Sequence, residues 1–244
     1  MFEVKMRSIR ILKLLFVSVI FMAAIFFQKT DSYAMENTKC KVIIGDSRAM
    51  GLIATLDNSK EFIKIYDEFD GLREDSIYFK DDTLYLICSY PGGYYKNGAY
   101  DKTAKKALKI IREQDILKNC LSYSFINMFS FNDCFLEYES SKYAPAAYIE
   151  RDAYYAEQIH GCSSVYQFNA GPVDERGEVY STYGFYNALV EDYNQRFTGN
   201  NKVTVVDLYG YLKNNGYNAS KYDVGIHYDD KTNMSIINLL VVLQ

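Results

Sequence analysis

The sequence predicts an α/β fold in which a mainly parallel, five-stranded sheet lies between two layers of helices. Short apolar runs alternate along the chain with stretches of helical periodicity, which is typical of this class. Several of these runs are apolar at consecutive positions, as expected of strands that are covered on both faces. The chain has 244 residues, and we predict one domain over residues 35–244.

Each predicted element follows from its own pattern. The strands are the apolar runs Lys41–Ile44, Leu84–Cys88, Ser124–Phe131, Ser164–Phe168 and Lys202–Val206. Helices are predicted where apolar residues recur every three or four positions, over Ala49–Leu56, Asp101–Arg112, Tyr148–Gly161, Phe185–Phe197 and Asp230–Leu243. Alternating apolar residues between positions 62 and 79 predict a hairpin or an edge strand that leads into the second run.

Residues 1–34 have the pattern of an export signal. Four basic residues come before an apolar run over residues 14–27, and the small residues Ser32 and Ala34 occupy the −3 and −1 positions of a cut after Ala34. A run of about 14 residues is short for a bilayer-spanning helix. Cleavage is therefore favoured over a retained membrane anchor, and we expect a secreted or cell-surface protein.

Charge and cysteine usage exclude several classes. Without residues 1–34 the chain carries 22 basic and 29 acidic side chains, a net charge of −7, which argues against a nucleic-acid partner. The five cysteines lack a Cys-x-x-Cys pair, so buried thiols are favoured, with one or two disulfides left open. There is no His-rich ligand cluster and no phosphate-binding loop with Lys, so no metal or cofactor is expected.

A serine follows the first predicted strand, in the segment Gly45-Asp46-Ser47-Arg48. In an open α/β sheet ligands bind beyond the carboxyl ends of the strands, where a serine at a helix N-terminus has free backbone N–H groups around it. Ser47 is therefore a candidate nucleophile with oxyanion donors nearby. A serine that merely caps the helix would occupy the same position.

Three later segments add candidates at the same edge of the sheet. Gly92 and Gly93 follow the second predicted strand, and Asn132 follows the third, where backbone N–H groups and an amide can donate to an oxyanion. A plain turn and a helix cap are the alternatives for these segments. The chain has two histidines. His160 lies in a predicted helix, whereas His227 lies before the last helix and is the candidate base for Ser47.

In this order the four segments resemble the blocks of the SGNH (GDSL-like) hydrolases, which are secreted in many Gram-positive bacteria. The first block corresponds to Gly45-Asp46-Ser47, the glycine block to Gly92-Gly93, the asparagine block to Asn132-Asp133 and the histidine block to Gly225-Ile226-His227-Tyr228. The segment Asn169–Glu175 is similar to a further family loop. The resemblance covers nearly all of the chain after Lys39 and implies a three-layer, flavodoxin-like α/β/α fold.

The resemblance also implies the roles of the site residues. Ser47 attacks an acyl carbon, His227 takes its proton, and the N–H groups of Ser47 and of Gly93 or Gly92, with the Asn132 amide, hold the oxyanion. The usual aspartate of the family is replaced by Val224, and Asp223, one position earlier, is the candidate carboxylate for His227.

We expect an extracytoplasmic esterase that removes acyl groups, with acetyl as the first candidate, from a carbohydrate or another small polar substrate. An acyltransferase with the same acyl-enzyme is the second hypothesis. A binding protein on a catalytically impaired hydrolase fold is the third, because of Val224. Contact with a membrane is expected only through an uncleaved N-terminal segment, and the sequence does not give the oligomeric state.

Overall fold

The protein forms a seven-stranded mixed sheet with helices on both faces. The computed structural model describes residues 37–71, 73–136, 138–176, 186–220 and 226–243. The strands are β1 (Lys39–Gly45), β2 (Ile63–Phe69), β3 (Glu74–Lys80), β4 (Thr83–Ser89), β5 (Ser122–Asn127), β6 (Cys162–Phe168) and β7 (Thr204–Val206). The helices are α1 (Ser47–Asp57), α2 (Ala99–Glu113), α3 (Asp115–Lys118), α4 (Phe131–Leu136), α5 (Tyr138–Ala156), α6 (Asn187–Asn194), α7 (Leu208–Asn215) and α8 (Asp230–Val242).

The strands are ordered β2-β3-β4-β1-β5-β6-β7. From β4 to β7 all neighbouring pairs are parallel, whereas β2, β3 and β4 pair in antiparallel fashion. The predicted five-stranded sheet is therefore wrong in strand number. The two additional strands are β2 and β3, which pair with each other in the segment that predicts a hairpin or an edge strand. Its outer strand is almost wholly exposed, so it lacks the buried apolar run that identified the other strands.

Two hydrophobic cores fill the space between the sheet and its helices. Alternate residues of β1 supply both, because Val42 and Ile44 lie on one face and Ile43 on the other. The first core packs against α2 and α5, and the second against α1, α7 and α8. Burial on both faces explains why β1, β4 and β5 are apolar at consecutive positions.

Strand β5 ends earlier than the apolar run suggests. The predicted strand Ser124–Phe131 stops at Asn127, and Phe131 already begins α4. The cause is local, since the Asn127 Oδ1 accepts a hydrogen bond from the backbone N–H of Phe129 at 2.8 Å, a turn that Asn side chains commonly form. As a result Asn132 lies within the first turn of α4.

The export signal predicted over residues 1–34 lies outside the described residues. Within the part of the chain that the structure describes, no helix is both long and apolar enough to cross a membrane. All five cysteines are present there as thiols; Cys40 and Cys88 are buried, and the other three are half-buried.

Candidate active site

The parallel strands β4, β1, β5, β6 and β7 all end at one edge of the sheet. Because the loops after parallel strands meet at such an edge, it is where open α/β sheets bind ligands. The Ser47, Gly92-Gly93 and Asn132 segments follow β1, β4 and β5 respectively, and His227 precedes α8.

Ser47 is the first residue of α1, and the cap of this helix is Asp46. The Asp46 Oδ1 accepts a hydrogen bond from the Arg48 N–H at 2.9 Å, as an N-cap carboxylate does. The Ser47 side chain therefore does not cap the helix. The N–H of Ser47 belongs to the first turn, whose donors have no partner inside the helix, so a negative charge placed there is stabilised by the helix N-terminus.

The structure brings Ser47 and His227 together. The Nε2 of His227 lies 2.7 Å from the Oγ of Ser47, within the range of a strong hydrogen bond. Both side chains are half-buried. This is the geometry in which an imidazole can take the hydroxyl proton while the oxygen attacks an electrophile.

The histidine segment is held by backbone pairing on one side. The Ser220 N–H donates to the His227 carbonyl at 2.8 Å, and Ala219 forms an antiparallel bridge with Tyr228. On the other side the Tyr228 hydroxyl donates to the Pro172 carbonyl at 2.7 Å. Fixed on both sides, the backbone around His227 restricts where the imidazole can point.

The glycine segment and Asn132 form a second linked pair. The Asn132 Nδ2 donates to the Gly93 carbonyl at 2.9 Å, and the Gly93 N–H donates to the Tyr90 carbonyl at 2.9 Å. The Gly92-Gly93 segment is thus a turn, with Gly92 at φ +68°. The Gly93 N–H is already bonded within this turn, whereas its carbonyl orients the Asn132 amide.

Two buried carboxyl groups lie close to these pairs. Burial raises the pKa of Asp46 to about 6, although the Arg48 N–H, the Arg48 charge and His227 each lower it. The charge of Asp133 also raises the pKa of Asp46. Asp133 is fully buried and accepts hydrogen bonds from the Tyr95 N–H at 2.9 Å and the Tyr148 hydroxyl at 2.5 Å. Two buried carboxyl groups, Asp46 and Asp133, thus lie beside the candidate catalytic pair.

The predicted carboxylate partner of His227, Asp223, lies outside the described residues, as do Val224 and Gly225. The role of Asp223 stays a prediction.

The loop after β6 supports the histidine segment. Asp174 accepts a hydrogen bond from the Ala219 N–H at 3.2 Å and pairs with Arg176 at 2.7 Å. The hydrogen bond from Arg176 lowers the pKa of Asp174 to about 2, so this carboxylate stays charged at any ordinary pH. The predicted Asn169–Glu175 loop is thus joined to the backbone that pairs with Tyr228.

Four tyrosines lie in or beside the predicted site segments, and two of them are buried. Tyr100 is buried and donates to Asp152 at 2.6 Å, and Tyr228 is buried against Pro172. Neither can contact a substrate. Tyr94 and Tyr95 are half-buried.

Sequence reasoning missed Arg48 and Asp133, which the structure places beside the site. Each directly follows a predicted site residue in the chain. This adjacency was the feature of the sequence from which a position near the site could have been predicted. Among the described residues no group of three or more His, Cys, Asp or Glu side chains is arranged to hold a metal ion.

Comparisons with known proteins add little to this geometry. No family model matches the chain, and no curated protein matches it. Among solved structures, a futalosine hydrolase mutant of Helicobacter pylori strain 26695 is similar at 10% sequence identity, over 84% of this chain and 100% of that chain, with a TM-score of 0.29. A likeness this weak establishes neither a shared fold nor a shared function.

Proposed function

We propose that this protein is a serine esterase that cleaves acyl esters through a covalent acyl-enzyme on Ser47. The observation that carries the proposal is the 2.7 Å contact between the Ser47 Oγ and the His227 Nε2. A serine hydroxyl is a weak nucleophile until a base removes its proton. Here the serine also stands at a helix N-terminus, where negative charge is stabilised.

In the first step the Ser47 Oγ attacks the acyl carbon while its proton passes to the His227 Nε2. The tetrahedral intermediate then collapses, and the protonated His227 gives the proton to the leaving alcohol. Water attacks the acyl-enzyme with His227 again as base, which releases the acid and restores Ser47.

The oxyanion is assigned to the Ser47 N–H and the Asn132 amide. A primary amide has two N–H donors, and the Gly93 carbonyl takes one of them, so the other is assigned to the oxyanion. A contribution from the Gly93 N–H requires the turn with Tyr90 to open. The Gly92 N–H remains a predicted donor.

For the substrate we propose a short acyl ester, acetyl first, of a carbohydrate or another small polar alcohol. The predicted export and the acidic chain favour a polar substrate outside the cytoplasm. If a sugar hydroxyl displaces water in the second step, the same acyl-enzyme makes the protein an acyltransferase. Product analysis with a sugar acceptor present separates these two outcomes.

The direct experiment is release of nitrophenol from the acetyl and butyryl esters by the wild type and the variants Ser47→Ala and His227→Ala. Loss of either member of such a pair lowers turnover by about 10⁴-fold or more. Ser163→Ala and His160→Ala are matched controls, because both residues are exposed at the opposite edge of the sheet, and we expect wild-type rates from them.

Equal rates for the wild type and Ser47→Ala would exclude the esterase. The protein would then be a candidate for ligand binding without cleavage. Asp223→Asn belongs in the same series, since a further loss of turnover in this variant would show that the carboxylate serves His227.

A further inference from the structure

Arg48, which follows Ser47 in the chain, is a buried cation with an ordered set of acceptors. Only 5% of the residue is exposed, and a buried guanidinium requires hydrogen-bond partners. Its Nε donates to the Ile226 carbonyl at 3.1 Å, Nη1 to the Gly171 carbonyl at 2.9 Å and Nη2 to the Pro172 carbonyl at 3.1 Å. Three nitrogens thus reach two separate loops in the plane of the group.

The same guanidinium also lies over two aromatic rings. The Cζ atom lies 3.6 Å from the ring centroid of Phe131 and 4.5 Å from that of Tyr228. A planar guanidinium can stack on rings while its edge donates hydrogen bonds, whereas an ammonium group offers a single point charge. Lysine therefore cannot reproduce this set of contacts.

The partners of Arg48 flank the candidate catalytic groups. Ile226 and Tyr228 stand on either side of His227, Phe131 immediately precedes Asn132, and Arg48 itself follows Ser47. Its contacts therefore connect the residue after the nucleophile with the residues beside the base and beside the oxyanion donor.

We propose that Arg48 is a positioning residue that holds His227 at hydrogen-bond distance from Ser47 and fixes α4 under Asn132. The expected change in kcat rests on the proposed function, whereas the expected shift of the His227 imidazole does not. A displacement of about 1 Å at a reacting group lowers turnover by about 10²-fold. A side chain at position 48 that lacks the planar guanidinium cannot donate to the Ile226 carbonyl in the same way. The adjacent His227 imidazole should then be able to shift by a distance of this size.

The kinetic arm compares Arg48→Lys and Arg48→Met with Arg151→Lys and Arg151→Met. Arg151 is the control arginine because it pairs with Asp101, between α5 and α2, and contacts none of the candidate catalytic groups named above. In both Arg48 variants we expect kcat for nitrophenyl acetate to fall by about 10²-fold, with KM changed much less. In a third variant, Arg48→Ala, added free guanidinium should partly restore the activity. Arg48→Lys with wild-type kcat would overturn the proposal, as would a loss that merely follows the unfolded fraction.

A spectroscopic arm needs no turnover, so it separates failure of this inference from failure of the proposed function. The chain has only two histidines, and His160→Gln leaves the imidazole nitrogens of His227 as a single set of NMR signals. In that background we expect Arg48→Lys to shift these signals towards those of Ser47→Ala, and Arg151→Lys to leave them unchanged. Unchanged signals in folded Arg48→Lys would contradict the positioning role even if the wild type is an active esterase.

Discussion

Asp46 places a buried carboxyl group next to the nucleophile. Its Oδ1 caps α1, while its Oδ2 accepts no hydrogen bond from the part of the chain that the structure describes. Burial is the largest influence on this group and raises its pKa to about 6. A carboxyl with a raised pKa binds its proton more tightly in the folded than in the unfolded state, so its contribution to stability is greatest below pH 4 and is lost as the pH rises through 6.

Asp46→Asn should remove this pH dependence, because an asparagine amide also caps a helix but does not titrate. A difference of about 2 units between the pKa of Asp46 in the folded and in the unfolded state corresponds to about 3 kcal/mol in the free energy of unfolding. Most of this contribution is still present at pH 4, so relative to Asp46→Asn the free energy of unfolding of the wild type should fall by about 2 kcal/mol between pH 4 and pH 8. Urea unfolding at pH 4, 6 and 8 measures it, with the exposed Asp82→Asn as control. Parallel curves for wild type and Asp46→Asn would contradict a raised pKa.

Residue types and their order predicted the Ser47–His227 pair, but they could not predict the contacts of Arg48. A serine after the first strand and a histidine before the last helix are visible in the sequence. The three acceptors of Arg48 are backbone carbonyls that lie 123 to 178 positions away. Backbone carbonyls are common to all residues, so such partners leave no trace in the sequence.

At the scale of elements, apolar patterns predicted where strands and helices occur better than where they end. The predicted helix Asp101–Arg112 matches α2 within two residues at its start and one at its end. Strand β5, by contrast, is ended by the Asn127 side chain, a local hydrogen bond that competes with the apolar pattern. The predicted helix Tyr148–Gly161 covers only the second half of α5 and extends beyond it, since α5 begins at Tyr138 and ends at Ala156.

The turn between β4 and α2 gives a prediction at this scale. A Cβ at Gly93 would lie 2.7 Å from the Tyr90 carbonyl and 2.8 Å from both Ala99 and Phe129, so Gly93→Ala should destabilise the fold by about 2 kcal/mol or more. Because the Gly93 carbonyl orients Asn132, esterase activity should also fall, by at least about tenfold.

Gly92→Ala is the matched control in the same turn. Its Cβ would meet nothing within 4 Å, but its φ of +68° is unfavourable for alanine, which costs about 1 kcal/mol. Thermal unfolding and the nitrophenyl acetate rate are measured for both variants. Equal effects of the two substitutions would show that the packing around Gly93 is looser than its contacts indicate.

At the scale of the whole molecule, the parallel part of the sheet was predictable and the antiparallel edge only in part. Buried strands show continuous apolar runs, whereas β2 exposes Ile63 and Phe69 to solvent and has a bulge between Lys64 and Tyr66. Exposed edge strands carry mixed residues, and bulges shift their alternation. The periodicity of this segment was weak for that reason.

A long-range contact joins the first strand to the last helix. The buried Lys41 Nζ donates to the carbonyls of Leu240, Val241 and Leu243 at 2.5–2.8 Å, as a cation at a helix C-terminus does. Lys41→Met should lower the free energy of unfolding by about 2 kcal/mol. The control Lys39→Met, on the same strand but exposed, should cost under about 0.5 kcal/mol. Urea unfolding that gives equal values for both would refute this role.

Reaction with a fluorophosphonate tests most directly whether Ser47 is an activated nucleophile, and it requires no knowledge of the substrate. The serine Oγ forms a bond to phosphorus as fluoride leaves, and His227 accepts the proton. Mass spectrometry of the digested protein should place one adduct on Ser47 in the wild type and in His160→Ala, and labelling of His227→Ala should be slower by about 10³-fold or more. A wild type without an adduct on Ser47, or labelling of His227→Ala at the wild-type rate, would contradict the proposed catalytic pair.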